Sequence, residues 1–301
     1  MLMNQKTRLP AYIQEEIDRV KGIYYPVKAS LPRRVLQRYA ACRKIHPNTE
    51  DEFCNPDIGP NYGIISGYQK DYMRYSGNPS REDLEKGGIH EPLFVQKARP
   101  DGFLLLNGHH RWAAALHVGK NSVRIKIVNL TQAKDIRRML ERSRFEKRVT
   151  LDLDEVVFCK DSSVPMEKPF PFPLRRLFPE RVRLGIPALL HFFADRHYDI
   201  WVYTSEYYSM DYIRHFFRRW NVRLAGIVTG TSRKGERDER TVEDLKKLAL
   251  KKYAETVHID RDSVLRTRRD SRECTEIRLE NASPAAWSGA VMDAIRQLQG
   301  E

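Results

Sequence analysis

The stretch RVTLDLDEVVF (148–158) limits what the second half of this 301-residue chain can fold into more than any other feature. A short apolar run that ends in two aspartates, Asp152 and Asp154, reads as a buried strand with charge at its carboxyl end. If the backbone stays extended through Asp154, both side chains emerge on the same side, where open α/β sheets place their ligands. Beyond it the pattern alternates. A proline-rich loop (161–179) leads to a helix (187–196), a strand (200–203), a helix (210–220), a strand (226–229), a helix (242–250) and a strand (256–259). Strands separated by helices predict right-handed crossovers and a parallel sheet covered on both faces.

Polar residues collect at the predicted strand ends. Two carboxylates two residues apart repel unless a cation or a proton separates them, and the pair can supply a nucleophile, Asp152, and a general acid/base, Asp154. Thr204 and Ser205 follow the strand 200–203 and offer hydroxyls to a transferring phosphoryl oxygen. A second carboxylate pair, Asp260 and Asp262, follows the strand 256–259 and suits magnesium together with Asp152 and Asp154, since that ion prefers hard oxygen ligands.

With these motifs the second half resembles the haloacid-dehalogenase (HAD) superfamily over about 150 residues. Asp152-Leu-Asp154 matches its first motif, Thr204 its second and Asp260-Arg-Asp262 its acidic fourth. The resemblance implies an α/β Rossmannoid HAD domain with an aspartyl-phosphate on Asp152, Asp154 as acid and then base, and phosphate held by Thr204, Ser205 and a lysine. Within the superfamily the chain looks most like the FCP/SCP-type phosphatases, which act on phosphorylated proteins. The lysine that precedes Asp-Leu in their third motif is Glu243 here, and Lys234 or Lys247 (with Lys246 beside it) is the expected substitute, Lys234 preferred. Non-catalytic relatives exist, among them mitochondrial import receptors, but retention of both Asp152 and Asp154 argues against that state.

In the first half, NGHHRWAAA (107–115) places a glycine, two histidines and an arginine at the start of a predicted helix (109–118). Free backbone N–H groups, the positive end of the helix dipole and Arg111 converge there on an anion site. A helix at 80–86, capped by Asn78 or Ser80, precedes it. Strands at 93–96 and 103–106 are joined by a turn at 100–102, and a strand at 123–128 closes an α+β unit. This pattern resembles the ParB/sulfiredoxin-like domain, which implies nucleotide phosphates on Gly108, His109, His110 and Arg111, with ATP or CTP as the nucleotide. Sulfiredoxins carry their catalytic cysteine at the position of His109, so sulfinic-acid repair is excluded. Glu82, Glu85 and Glu91 are the nearest carboxylates. The expected division is an extension (1–67), the ParB/sulfiredoxin-like domain (68–130), a linker helix (131–147) and the HAD-like domain (148–301).

Composition bounds the rest. With 53 Lys and Arg against 40 Asp and Glu, the net charge of +13 attracts polyanions. The basic residues are spread through both halves, which predicts at most weak, sequence-independent binding to nucleic acid. Four cysteines without a C-x-x-C pair encode neither a zinc site nor a disulfide framework. No apolar run approaches the roughly 20 residues of a membrane span, and residues 1–10 lack the apolar core of a secretory signal. A cytoplasmic protein with no membrane partner is expected, acting as a magnesium-dependent phosphohydrolase or phosphotransferase. Its phosphorylated substrate would be a nucleotide, a nucleic-acid end or a phosphoprotein. The alternatives are a nucleic-acid-associated nucleotide switch with a regulatory or degenerate HAD domain, and a bifunctional kinase/phosphatase.

Overall fold

A computed structural model describes residues 5–20, 22–74, 88–159, 161–230, 239–270, 274–279 and 283–300. These fall into two compact units that divide between Asn129 and Leu130. Among the described residues no helix is long and apolar enough to cross a membrane.

The first unit holds α1 (Gln5–Val20), β1 (Tyr25–Val27), α2 (Leu31–Leu36), β2 (Tyr39–Ala41), β3 (Ile45–His46), α3 (Tyr62–Arg74), β4 (Leu93–Arg99), β5 (Phe103–Asn107), α4 (His109–His117) and β6 (Ser122–Ile127). Its mixed sheet runs β2-β6-β4-β5-β3, with β1 also paired to β4. The antiparallel β4–β5 hairpin and the parallel β4–β6 pair set the frame for α4. The described residues of the expected extension (1–67) are built into the domain rather than wrapped on it. β1, β2 and β3 join the sheet, and Ile13, Ile17, Cys42, Ile45, Phe53 and Ile65 share one core with Leu105 and Trp112. The reason is volume: the inward face of α4 carries Ala113, Ala114 and Ala115, which are too small to fill the space over the sheet. The predicted helix at 80–86 and its caps Asn78 and Ser80 lie outside the described residues.

The second unit holds α5 (Ala133–Glu141), β7 (Lys147–Asp152), α6 (Leu174–Leu177), α7 (Ile186–Asp195), β8 (Tyr198–Thr204), α8 (Met210–Arg218), β9 (Gly226–Thr229), α9 (Glu239–Lys252), β10 (Glu255–Ile259), β11 (Ser263–Arg268), β12 (Cys274–Arg278) and α10 (Trp287–Gln299). The sheet order is β12-β11-β10-β7-β8-β9. The middle and one edge, β10-β7-β8-β9, are parallel as expected. The expectation of a parallel sheet needs correction at the other edge, where β11 and β12 run antiparallel. The chain reverses after β10 because the Asp260 amide bonds the Ser263 carbonyl at 2.9 Å, closing a tight turn that a crossover helix would otherwise replace.

Alternation along the strands builds two cores. Ile200 and Val202 of β8 face a cluster with Leu189 and Phe193 of α7, Phe216 and Phe217 of α8, and Val291 and Ile295 of α10. Trp201 faces the opposite layer, with Ile136 and Leu140 of α5 and Leu245 and Ala249 of α9. The expected linker helix is therefore a packed element of this unit. Thr131 fixes its start, its amide and hydroxyl bonding Thr229 Oγ1 at 3.0 Å and the Ile227 carbonyl at 2.9 Å.

Gly226 lies beside the Trp201 indole, and a Cβ at this position would collide with the six-membered ring. Trp201 is fully buried and its Nε1 donates to the Tyr253 hydroxyl at 2.8 Å, so it has nowhere to move. Gly226→Ala is therefore expected to destabilise the protein by about 1–3 kcal/mol through overpacking. A lowered denaturant midpoint with an unchanged m-value would be the readout.

Candidate functional site

In the second unit, register brings the predicted residues to one edge. Leu151 pairs with Ile259 and Asp152 with Tyr203, so Asp152, Thr204 and Asp260 stand at the carboxyl ends of three adjacent parallel strands. These are three of the residues expected at the strand ends.

The local geometry at Asp154 differs from expectation. β7 ends at Asp152, and Leu153–Val157 form a single π-type turn. Asp152 Oδ1 starts it by accepting from the amides of Asp154 at 2.7 Å and Glu155 at 2.9 Å. Leu153, Val156 and Val157 are buried, and anchoring all three demands a wider turn than extended backbone provides. Asp154 is consequently swung toward β8. Its Oδ1 accepts from Thr204 Oγ1 at 2.7 Å, and its Oδ2 accepts from the Ser205 amide and hydroxyl, each at 2.8 Å.

Asp260 Oδ1 accepts from the Arg261 amide at 2.7 Å in the turn before β11. The expected set of four magnesium-binding carboxylates, Asp152, Asp154, Asp260 and Asp262, does not gather as a cluster. Among the described residues no three His, Cys, Asp or Glu side chains are grouped to hold a metal ion. The donor set still has suitable chemistry: magnesium is commonly held by one or two carboxylates, with waters and substrate phosphate completing its shell. Asp152 and Asp260, at neighbouring strand ends, are that kind of pair.

A cleft of about 510 Å³ opens beside Asp154, lined also by Phe158, Cys159, Arg181, Glu206 and Tyr208. Its size lies within the roughly 300–1,000 Å³ of small-molecule sites. Of the two expected phosphate lysines, Lys234 lies outside the described residues. Lys247 is exposed on α9 and ion-paired with Glu243 at 2.9 Å, on the face away from the buried Leu245 and Ala249. The one-turn spacing that suggested Lys247 as a substitute for position 243 is what ties it to Glu243.

In the first unit, Gly108 has φ +95° and begins α4 in the left-handed region. A side chain there would strike Leu93 and the Arg111 guanidinium, so the glycine permits both the turn and the close approach. Gly108, His109, His110 and Arg111 do come together, but their charges are already engaged. Arg111 is 4% exposed. Its Nη1 donates to the carbonyls of Gly88 and Glu91, both at 3.1 Å, and to the Glu91 carboxylate at 2.6 Å. His109 is buried, stacked on Phe53, with Nδ1 3.5 Å from the Asp51 carboxylate. His110 Nε2 accepts from the Asn61 amide at 3.0 Å, and burial holds its pKa below the usual histidine value. The sequence predicts an Arg111 open to phosphate. Instead the Glu91 carboxylate, half exposed, holds the anion's place. Glu82 and Glu85 lie outside the described residues.

A family model described as the ParB N-terminal domain matches residues 81–143, a span that includes β4, β5, α4, β6 and α5. No curated protein and no solved structure matches the chain significantly.

One buried histidine of the first unit went unread in the sequence because a short strand gives no periodic signal. His46 of β3 is 4% exposed and stacked on Tyr24 at 3.7 Å. Desolvation pushes its pKa down to about 4, and the nearby Asp101 carboxylate recovers only part of the loss. The neutral form is the one that fits, so its contribution is complete above the unfolded value of about 6.5 and is lost as pH falls through about 4. The effect is worth about 3 kcal/mol. His46→Phe, which keeps the stack and cannot titrate, is expected to flatten the loss of stability between pH 6.5 and pH 4. Parallel acid-unfolding curves for variant and wild type would refute the assignment.

Proposed function

We propose that the second unit is a magnesium-dependent HAD-type phosphohydrolase acting through Asp152, and that the ParB-like first unit binds a nucleotide such as ATP or CTP. One observation carries the first part: β10, β7 and β8 end side by side in Asp260, Asp152 and Thr204, with Asp154 hydrogen-bonded to the Thr204–Ser205 corner. The resemblance of the three motifs to the HAD superfamily supports the same reading.

The chemistry follows from that placement. An Asp152 carboxylate oxygen attacks phosphorus, and the bond to the leaving oxygen breaks as Asp154 delivers its proton there. In the second step Asp154 takes a proton from water, the water oxygen attacks phosphorus, and cleavage of the aspartyl-phosphate bond returns Asp152 and inorganic phosphate. Before the first step Asp154 must leave its three donors. A phosphoryl group that takes over the Thr204 and Ser205 hydroxyls would release it, coupling substrate arrival to presentation of the acid. Magnesium, held by Asp152 and Asp260, would neutralise charge on the phosphoryl oxygens.

A second reading has its own support: the match to the ParB N-terminal domain and the net charge of +13 favour a nucleic-acid-associated protein whose second unit only senses phosphate. The two readings separate in one assay on the full chain. Hydrolysis of an aryl phosphate is expected to require magnesium and to fall at least 1,000-fold in Asp152→Asn, roughly 4 kcal/mol of transition-state stabilisation. The variant should fold, because the asparagine Oδ1 can still accept from the amides of Asp154 and Glu155. Turnover near wild type in that variant removes Asp152 from its role. No turnover in the wild type, with salt-sensitive DNA binding instead, supports the second reading.

The nucleotide part is tested by calorimetry with ATP and CTP. Arg111→Ala is expected to weaken binding by about 1.5–3 kcal/mol, the range for charged hydrogen bonds. Glu91→Gln is expected to strengthen it, because the competing carboxylate is gone. Absence of binding at millimolar nucleotide would make the glycine turn structural.

A further inference from the structure

With Lys247 committed to Glu243, no lysine among the described residues lines the cleft beside Asp154, yet the second unit contains a buried arginine without an ion-paired carboxylate. Arg183 is 5% exposed, and its Nε has no hydrogen-bond partner. Among the described residues no carboxylate lies within ion-pairing distance of it. Its guanidinium lies over the face of Trp287, 3.9 Å from the guanidinium carbon to the ring centre. A guanidinium cannot shed its proton to escape burial. Burial nonetheless pulls the Arg183 pKa below the ordinary arginine value, an effect that Arg261 adds to and that Cys159 and Asp262 oppose only in part. A buried cation without a partner destabilises a fold, so its presence asks for a ligand that the protein alone does not supply.

The position is fixed from both sides. The Arg183 amide bonds the Val157 carbonyl at 2.9 Å, in the turn that Asp152 caps, while Leu184 bonds the Pro165 carbonyl at 2.8 Å. Gly185, with φ +84°, donates to the Glu167 carboxylate at 2.8 Å. Trp287, beneath the guanidinium, donates its Nε1 to the Arg261 carbonyl at 2.7 Å, within the turn carrying Asp260 and Asp262. Arg183 is thus held between the segments that follow β7 and β10. Its neighbour Cys159 lines the same cleft as Asp154.

We propose that Arg183 is the fixed cation of the phosphoryl site, its planar fork receiving two non-bridging oxygens of the phosphate in place of the lysine replaced by Glu243. This rests on the reading of Asp152 as the phosphoryl acceptor. A guanidinium suits the task because it presents parallel donors to a tetrahedral oxyanion, and its stacking on Trp287 leaves those in-plane donors free to point at a ligand.

The test uses inorganic phosphate as the probe, without magnesium, on the full chain. Calorimetry and thermal shift are run on wild type, Arg183→Met, Arg183→Lys and Asp152→Asn. Phosphate is expected to bind the wild type and raise its Tm. Arg183→Met should melt at or above the wild-type temperature without phosphate, since an uncompensated buried charge has been removed, and should bind phosphate at least ten-fold more weakly. Arg183→Lys keeps the charge but not the fork and is expected to fall between them; it also decides the matter if the methionine variant does not fold. Asp152→Asn should bind phosphate at least as tightly as the wild type, since a carboxylate that repels the anion is gone, while losing turnover. Unchanged phosphate affinity in Arg183→Met, or in Arg183→Lys where that variant decides, overturns the proposal and makes Arg183 a structural partner of Trp287, as does a wild type that binds no phosphate. Turnover surviving in Asp152→Asn, with phosphate binding still dependent on Arg183, would instead refute the catalytic reading and leave the anion site standing.

Discussion

The parallel register of β7 between β8 and β10 is the constraint on which the candidate chemistry of the second unit depends. A slip by one residue would turn Val149 and Leu151 out of the core and move Asp152 off the edge, so the hydrophobic pattern that buries the strand also fixes the carboxylate. Neither neighbouring strand can shift independently, because Ile200 and Val202 share the core with Val257 and Ile259. Thr204 and Asp260 are therefore positioned by the same apolar interlock, before any polar contact at the strand ends is considered. The hydrogen bonds of Asp154 then refine a placement that packing has already made.

Beyond the strand ends, order is set by polar groups whose demands are local. The Asp152 carboxylate satisfies two amides that the π-type turn leaves without partners, and the turn in turn delivers Asp154 to Thr204 and Ser205. A side chain that caps a turn and is also offered to phosphorus must have one oxygen committed and one available. Asp152 meets that condition, since both amides converge on Oδ1.

What the sequence revealed follows from which signals are periodic. The alternation of β8 and the apolar faces of α7 and α8 were readable, and with them the sheet, its parallel centre and the three polar strand ends. Three kinds of feature were not. β11 and β12 carry Arg266, Arg268, Glu276 and Arg278 and read as a charged surface run; β12 is the sheet edge, where charge resists pairing with other chains, while Arg266 of the inner strand β11 is held by Glu255. β1, β2 and β3 span two or three residues each, too few for alternation to register. The π-type turn has no propensity signature; it arises from the need to bury Leu153, Val156 and Val157 together. The same limit explains Arg183, which lies just beyond a proline-rich loop where sequence alone gives no measure of burial.

Two buried arginines pose one electrostatic problem and meet it differently. Arg111 is answered by the Glu91 carboxylate and two carbonyls, so the first unit can keep it buried without a ligand. In the proposed nucleotide site an anion would bind by exchange, since Glu91 is half exposed and could move to water as a phosphate replaced it. Affinity is then the difference between two ion pairs, a weak and adjustable quantity. Among the described residues Arg183 has no carboxylate within ion-pairing distance to exchange; its guanidinium lies over Trp287 and its backbone is pinned to the turn after β7. An anion at the proposed Arg183 site would displace no ion-paired carboxylate and would offset part of the desolvation penalty, which favours tighter binding at the cost of a less stable free protein. The proposed nucleotide site, if reversible, would be served by the first solution. A site that must hold a phosphoryl group through bond breaking is served by the second, because its cation cannot be drawn away by a competing side chain.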